Sequence, residues 1–277
     1  MRMLLYSDGS QLGSQALRLG IRIARAMANA VDIVAISRSA DQEEEVIEQA
    51  AAAAEKLRAA GVSVTIYPRS GTMLEELLNQ AEVVDYDLIV VGSRGRRGIK
   101  RLIAGSRACS ILKGTTTSVL VVKGKERENI DHILVGSAAG PESEETVRFA
   151  ARLARALDAS VALLHVMSQV ALEENAKAAD LEAEAEELME REAREGVHLE
   201  NMLEILHQEG VEVKALVRHG LIVDEIVNEA KDGHFDILAI GAHTVPGVEG
   251  LLSSDLSERI MLSAERPILI VHQAREM

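Results

Sequence analysis

The chain has 277 residues, of which 47% are hydrophobic and 2% aromatic, with one cysteine, Cys109. That length and composition suit two domains with aliphatic cores, and exclude a disordered chain and an intrachain disulfide. The net charge of −14 is uneven: residues 1–129 hold 18 Lys/Arg and 15 Asp/Glu, residues 130–277 hold 12 and 29, so the second half repels nucleic acid and an anionic ligand belongs to the first.

In chain order, the pattern predicts a strand over Arg2–Ser7 and a helix over Leu12–Ala28, whose Leu17, Ile21, Ala24 and Met27 share one face. A strand over Val31–Ser37 and a helix over Gln42–Ala60 follow, the helix stopped by Gly61 as a C′ glycine would stop it. A strand over Val62–Pro68, a helix over Met73–Val84, a strand over Leu88–Val91, a helix over Ser106–Lys113 and a strand over Ser118–Val122 complete the unit. Most strands are continuous apolar runs, the mark of burial on both faces. Alternating strands and helices of this kind imply an α/β fold: a doubly wound parallel sheet with right-handed crossovers and ligands at the carboxyl ends of its strands. No apolar run approaches the roughly 18 residues of a membrane span. Asp8 stands where a signal peptide would still be apolar, so a cytoplasmic protein with no membrane partner is expected.

The unit then repeats. Gly61-Val-Ser-Val returns as Gly210-Val-Glu-Val, Arg69-Ser-Gly71 as Arg218-His-Gly220, and Asp87-Leu-Ile-Val-Val-Gly92 as Asp236-Ile-Leu-Ala-Ile-Gly241, all at an offset of 149. The openings match at an offset of 130: Met3-Leu-Leu-Tyr-Ser7 with Ile133-Leu-Val-Gly-Ser137. The expected domains are therefore 1–126 and 130–277, the second with a 19-residue insertion near 167–209. The insertion is rich in Ala, Glu and Leu, and reads as a lengthened second helix or as two helices split at Gly196. It is either a solvated strut or an arm that meets a partner.

The segment from Val91 to Ser106 carries the chemistry. Gly92 and Gly95 let backbone N–H groups approach an anion, and Ser106 opens a helix whose N-terminus favours negative charge. Arg94, Arg96, Arg97, Lys100, Arg101 and Arg107 surround it without one acid. This arrangement suits a polyphosphate, yet it is neither a P-loop nor the dinucleotide GxGxxG.

The spacing Gly92-x2-Gly95-x9-Gly105-Ser106 resembles the ATP-binding motif of the universal stress protein family, and Ser7-Asp-Gly-Ser10 resembles the family's DxS-type segment. The chain is similar to that family over its whole length, as two tandem copies. The resemblance implies two five-stranded α/β domains, Rossmann-like and of the adenine nucleotide alpha hydrolase type. It implies pairing within the molecule through the last strands, Val119–Val122 and Ile268–Val271. It implies an adenine nucleotide, ATP or else AMP or ADP, with or without Mg²⁺. Asp8 would contact adenosine with Ser10 beside it, Ile36 would pack on adenine, and Gly92, Arg94, Gly95, Gly105, Ser106 and Arg107 would surround ribose and phosphates.

The second copy departs from the motif: Ala138 replaces Asp8, Thr244 replaces Gly95 and Ser254 replaces Gly105. One competent site, in the first half, is expected. His165, His219 and His243 all fall near carboxyl ends of strands in the second copy, without the local spacing of a metal motif. No catalytic constellation and no acidic pair for Mg²⁺ is visible. The expected function is a non-catalytic, nucleotide-binding stress regulator. The alternatives are a weak ATPase, or a protein-interaction module with a structural nucleotide, an unknown protein partner and a possible homo-oligomer. An RNA-binding KH loop and a phospho-acceptor receiver domain fit the charge and the acidic positions poorly.

Overall fold

The computed structural model describes residues 1–93, 106–124, 129–138, 142–167, 185–190, 194–242 and 253–273. The chain forms two compact units, Met1–Glu126 and Arg127–Met277. In the first, β1 (Arg2–Ser7), α1 (Gln11–Met27), β2 (Ala30–Ser37), α2 (Ala40–Arg58), β3 (Ser63–Ser70), α3 (Met73–Val83), β4 (Leu88–Gly92), α4 (Ser106–Gly114) and β5 (Ser118–Val122) alternate among the described residues. The second unit runs β6 (His132–Ser137), α5 (Glu142–Leu157), β7 (Ser160–Met167), α6 (Ala185–Glu190), α7 (Arg194–Gln208), β8 (Val213–His219), α8 (Ile222–Asp232), β9 (Ile237–Gly241), α9 (Ser253–Ser263) and β10 (Ile268–Val271).

Within the first unit the strands lie in the order β3-β2-β1-β4-β5, and within the second in the order β8-β7-β6-β9-β10. The pairs β1–β2, β1–β4, β2–β3 and β4–β5 are parallel, as are β6–β7, β6–β9, β7–β8 and β9–β10. The chain winds outward from the centre in both directions, so the carboxyl ends of β1 and β4 lie side by side. That adjacency makes the ligand crevice of a doubly wound sheet.

The apolar runs are the central strands. Met3, Leu4, Leu5, Leu88, Ile89 and Val91 are fully buried, as are Ile133, Leu134, Val135, Ile237 and Leu238 in the second unit. β3 is different: its burial alternates and it carries Pro68. It lies at the end of the strand order, where the missing N–H of proline leaves no ladder bond unmade. β3 also runs two residues beyond the predicted end, pairing Arg69 with Ile36 and Ser70 with Ser37.

The duplication extends to turns. Gly61 (φ +82°) and Gly210 (φ +72°) both end their helices in the left-handed region. Each is followed by the same bonds: Gly61 N–H to Arg58 and Val62 N–H to Leu57, Gly210 N–H to His207 and Val211 N–H to Leu206. Glycine meets this φ without the steric cost of a Cβ.

At an offset of 149, α2 maps onto residues 189–207, the span of α7 and the end of α6. Gly196 sits inside α7 and does not divide a helix there. Residues 168–184, which hold most of the insertion, lie outside the described residues.

The amino ends of the first unit's strands are tied by a polar network. Asp32 is 2% exposed and accepts from Arg2 Nη2 at 2.7 Å and from Tyr86 Oη at 2.5 Å, while Gln80 Nε2 donates to Tyr86 Oη at 3.0 Å. Burial and the adjoining carboxylate push the Tyr86 phenol well up from its ordinary value. Beside it, Asp87 Oδ2 accepts the Arg2 backbone N–H at 2.6 Å, and Asp236 does the same for His132 at 3.0 Å in the second unit. These contacts lie opposite the ligand edge and hold β1, β2, α3 and β4 together.

Candidate functional site

The carboxyl edge of the first unit is built around Asp8. One residue past β1, its Oδ1 accepts the Ser10 backbone N–H at 3.1 Å and the Ser10 hydroxyl at 2.6 Å. This is an Asx turn. Ser10 in turn is the N-cap of α1, its Oγ accepting the Gly13 N–H at 3.0 Å. Asp8 Oδ2 faces Arg38 Nη2, 3.9 Å away at the end of β2. The Asp8 side chain is only 7% exposed, while that of Arg38 is 58% exposed.

Helix α1 begins hard against this edge. A Cβ on Gly13 would stand 2.2 Å from Asp8 Oδ1, and a Cβ on Gly92 would stand 2.5 Å from the Leu12 carbonyl oxygen. Gly92 also donates its N–H to Tyr6 Oη at 3.2 Å. Its lack of a side chain is therefore required by the packing of α1, and its N–H is engaged by Tyr6. The sequence reading assigned that N–H to an anion.

Tyr6 is the residue that sequence reasoning missed. It is 2% exposed, and burial pushes its phenol up to about 12, with the Asp8 charge adding to the rise. The Gly92 N–H and the Arg107 charge oppose that rise. Asp8, Gly92 and Arg107 thus act on one hydroxyl, across β1, β4 and α4. An aromatic residue in an apolar strand reads as core, so nothing in the sequence marked its polar end.

The expected residues divide as follows. Asp8, Ser10 and Gly92 meet at this edge. Arg107 is exposed on α4 and within electrostatic reach, and Ser106 opens that helix. Ile36 is on β2 at 1% exposure, enclosed in the core. Arg94, Gly95 and Gly105 lie outside the described residues.

The same edge of the second unit is built differently. Ala138 takes the place of Asp8, and its N–H donates to Ser143 Oγ at 3.0 Å, while the Ser143 hydroxyl donates back to the Ala138 carbonyl. Ser143 stands at the position of Gly13. Gly136 stands at that of Tyr6, and Ile240 and Ile226 close over it, at 3.2 and 3.6 Å from where its Cβ would be. His165 meets His198 there, and His243 and Thr244 lie outside the described residues. Among the described residues no group of three or more His, Cys, Asp or Glu is placed to hold a metal ion.

Two stretches of the chain, residues 1–123 and 129–272, each match the model of the Universal stress protein family. The chain belongs to the universal stress protein family. Its tandem form is evident beside universal stress protein YxiE of Bacillus subtilis, which is 26% identical over 145 residues, 44% of this chain and 98% of that protein. A universal stress protein of Mycolicibacterium smegmatis is 24% identical over 216 residues, covering 76% of this chain and 69% of that one. Among solved structures, a universal stress protein from Archaeoglobus fulgidus superposes with a TM-score of 0.65 at 18% identity, over 99% of this chain and 98% of that one. At that identity the likeness establishes the shared fold alone. Among the described residues of this universal stress protein, no helix is long and apolar enough to cross a membrane.

Proposed function

We propose that the first unit binds an adenine nucleotide, ATP or else AMP or ADP, and that the chain works as a nucleotide-responsive regulator. One observation carries this reading: the Asp8 carboxylate and Gly92, whose N–H donates to Tyr6 Oη, stand at the neighbouring carboxyl ends of β1 and β4, with Arg107 exposed in the first turn of α4. The equivalent edge of the second unit is filled by Ser143, Ile240 and Ile226.

The residues suit such a ligand. Asp8 offers a carboxylate to ribose hydroxyls, with Ser10 holding it in place. The α4 N-terminus, which begins at Ser106, and the Arg107 guanidinium offer positive charge to phosphates. Arg94, Gly95 and Gly105 complete the cradle in this reading, with Ile36 behind the base. Mg²⁺ enters only as part of a triphosphate complex. Binding acts by favouring one arrangement of this edge over others, which requires the ligand to prefer that arrangement.

The test is to denature the purified protein, identify any released nucleotide by chromatography, and titrate the stripped chain with ATP by calorimetry. One nucleotide per chain is expected. Two per chain would mean that the second unit also binds. None at millimolar ATP would remove the proposal.

A further inference from the structure

At the carboxyl edge of the second unit, two imidazoles close on one serine. His165 of β7 places Nδ1 3.1 Å from the Ser137 carbonyl oxygen, and His198 of α7 places Nε2 2.6 Å from Ser137 Oγ. The two rings stand 5.9 Å apart between centroids. His165 and Ser137 are both 7% exposed.

The first unit has the same strand-to-helix contact in a form that does not titrate. Ser7 Oγ donates to Gln49 Oε1 at 3.2 Å, linking β1 to α2. Ser7 and Ser137 are related by the offset of 130, Gln49 and His198 by that of 149, and Ala35 stands where the second unit has His165. A glutamine cannot act as a base, and the serine is buried in both units. The contact therefore holds helix to sheet and does not prepare a nucleophile.

We propose that Ser137, His165 and His198 form an acid-sensitive latch, which holds α7 on the sheet of the second unit and releases it when the rings are protonated. With both rings neutral, His165 Nδ1–H donates to the carbonyl and the Ser137 hydroxyl satisfies His198 Nε2. Protonation places two cations 5.9 Å apart in a largely enclosed space. His219 of β8 adds to the repulsion at His165, whereas Glu195 of α7 faces both rings and Glu144 of α5 faces His198, each carboxylate opposing it. Burial dominates, and holds both rings below their ordinary value of 6.5. The neutral rings thus belong to the folded unit. Their contribution is present above pH 6.5 and is lost as pH falls from there toward the lowered folded values. α7 packs on α5, α6, β7 and β8, so its release leaves α6 with its packing on β8 and without that on α7.

Hydrogen exchange on the full chain at about pH 7.5 and pH 5.5, corrected for intrinsic rates, tests this. Protection of the α7 amides is expected to fall by about tenfold at the lower pH, about threefold from each of the two rings, within the roughly tenfold limit that a single ring can contribute over this range. The α2 amides, latched by Gln49, should hold their protection. His198→Gln installs the first unit's residue and should shrink the fall in α7 to about threefold or less, since His165 alone then titrates. An equal fall in α2 and α7, or an undiminished fall in His198→Gln, would overturn the latch. Should that variant fold poorly, imidazole titration by NMR on the unaltered chain decides: midpoints below 6.5 for His165 and His198 support the latch, and ordinary midpoints for both refute it.

Discussion

The carboxylate of Asp8 occupies the volume that a side chain at Gly13 would need: a Cβ there would stand 2.2 Å from Oδ1. The same carboxylate holds Ser10, and Ser10 caps α1, so the start of that helix depends on Gly13 having no side chain. The second unit has exchanged both positions at once. Ala138 vacates the space and Ser143 fills it, its hydroxyl bridging the Ala138 backbone. A side chain at the position of Gly13 is thus accommodated in the second unit where the carboxylate is absent.

A pair of substitutions reads that dependence directly. Gly13→Ser alone should cost about 1–3 kcal/mol, because the added atoms displace a buried, hydrogen-bonded carboxylate. Adding Asp8→Ala should restore at least about 1 kcal/mol of that loss, a coupling typical of residues in contact. Urea denaturation of the two single variants and the double variant measures it. A Gly13→Ser chain as stable as the parent would contradict the shared volume.

For the proposed ligand, Gly95→Val should abolish ATP binding while circular dichroism stays unchanged. Asp8→Ala should weaken it by about tenfold, the effect of one lost charge-assisted hydrogen bond. Thr244→Gly, by itself, should add no second site. Calorimetry on the three variants reads all of these, and normal affinity in Gly95→Val would show that the loop is not where the nucleotide sits.

Tyr6→Phe keeps the ring and removes the acceptor of the Gly92 N–H. Leaving that half-buried donor without a partner should cost about 1 kcal/mol. A pH signature accompanies it. The phenol is raised to about 12 in the folded chain from 10.0, so its contribution is complete below pH 10 and is lost as pH rises toward 12. Stability measured between about pH 9.5 and 11 should fall more steeply in the parent than in Tyr6→Phe, by up to about 1.4 kcal/mol per pH unit for one proton. Parallel slopes would show that Tyr6 ionises as an ordinary phenol.

Asp32→Ala removes the anion shared by Arg2 and Tyr86 at the amino ends of β1 and β2. Because the Arg2 side chain is 41% exposed, the loss should be about 2–3 kcal/mol, below that of a fully buried pair. ATP affinity should not change, since the network lies across the sheet from the candidate site. Thermal unfolding and calorimetry on one variant separate the two effects, and weakened binding in a well-folded chain would mean that the two edges are coupled.

The fold was largely legible. Continuous apolar runs of strand length, alternating with helical periodicity, leave few ways to bury both faces of a strand, and the offsets of 130 and 149 made each copy a check on the other. Boundaries moved by only a few residues, as at β3, whose last two residues are polar and therefore carried no apolar signal. Gly61 and Gly210 were readable as helix stops because the left-handed turn is a local demand on a single residue. The departures of Ala138, Thr244 and Ser254 from the glycine pattern were readable for the same reason: each is a matter of residue identity at one position.

The partners of the polar side chains were a different matter. Tyr6 meets Gly92 across 86 residues of chain, and Ser137 meets His198 across 61. Both contacts depend on how closely a helix settles on the sheet and which register two strands adopt, quantities that no local propensity encodes. The sequence by itself therefore determined the family, the duplication and the alternation of strands and helices, because these follow from residue type at short range. Only the tertiary structure decided that Gly92 donates to a tyrosine, that Gly13 makes room for Asp8, and that two histidines gather on one serine. Those are consequences of packing between segments far apart in the chain.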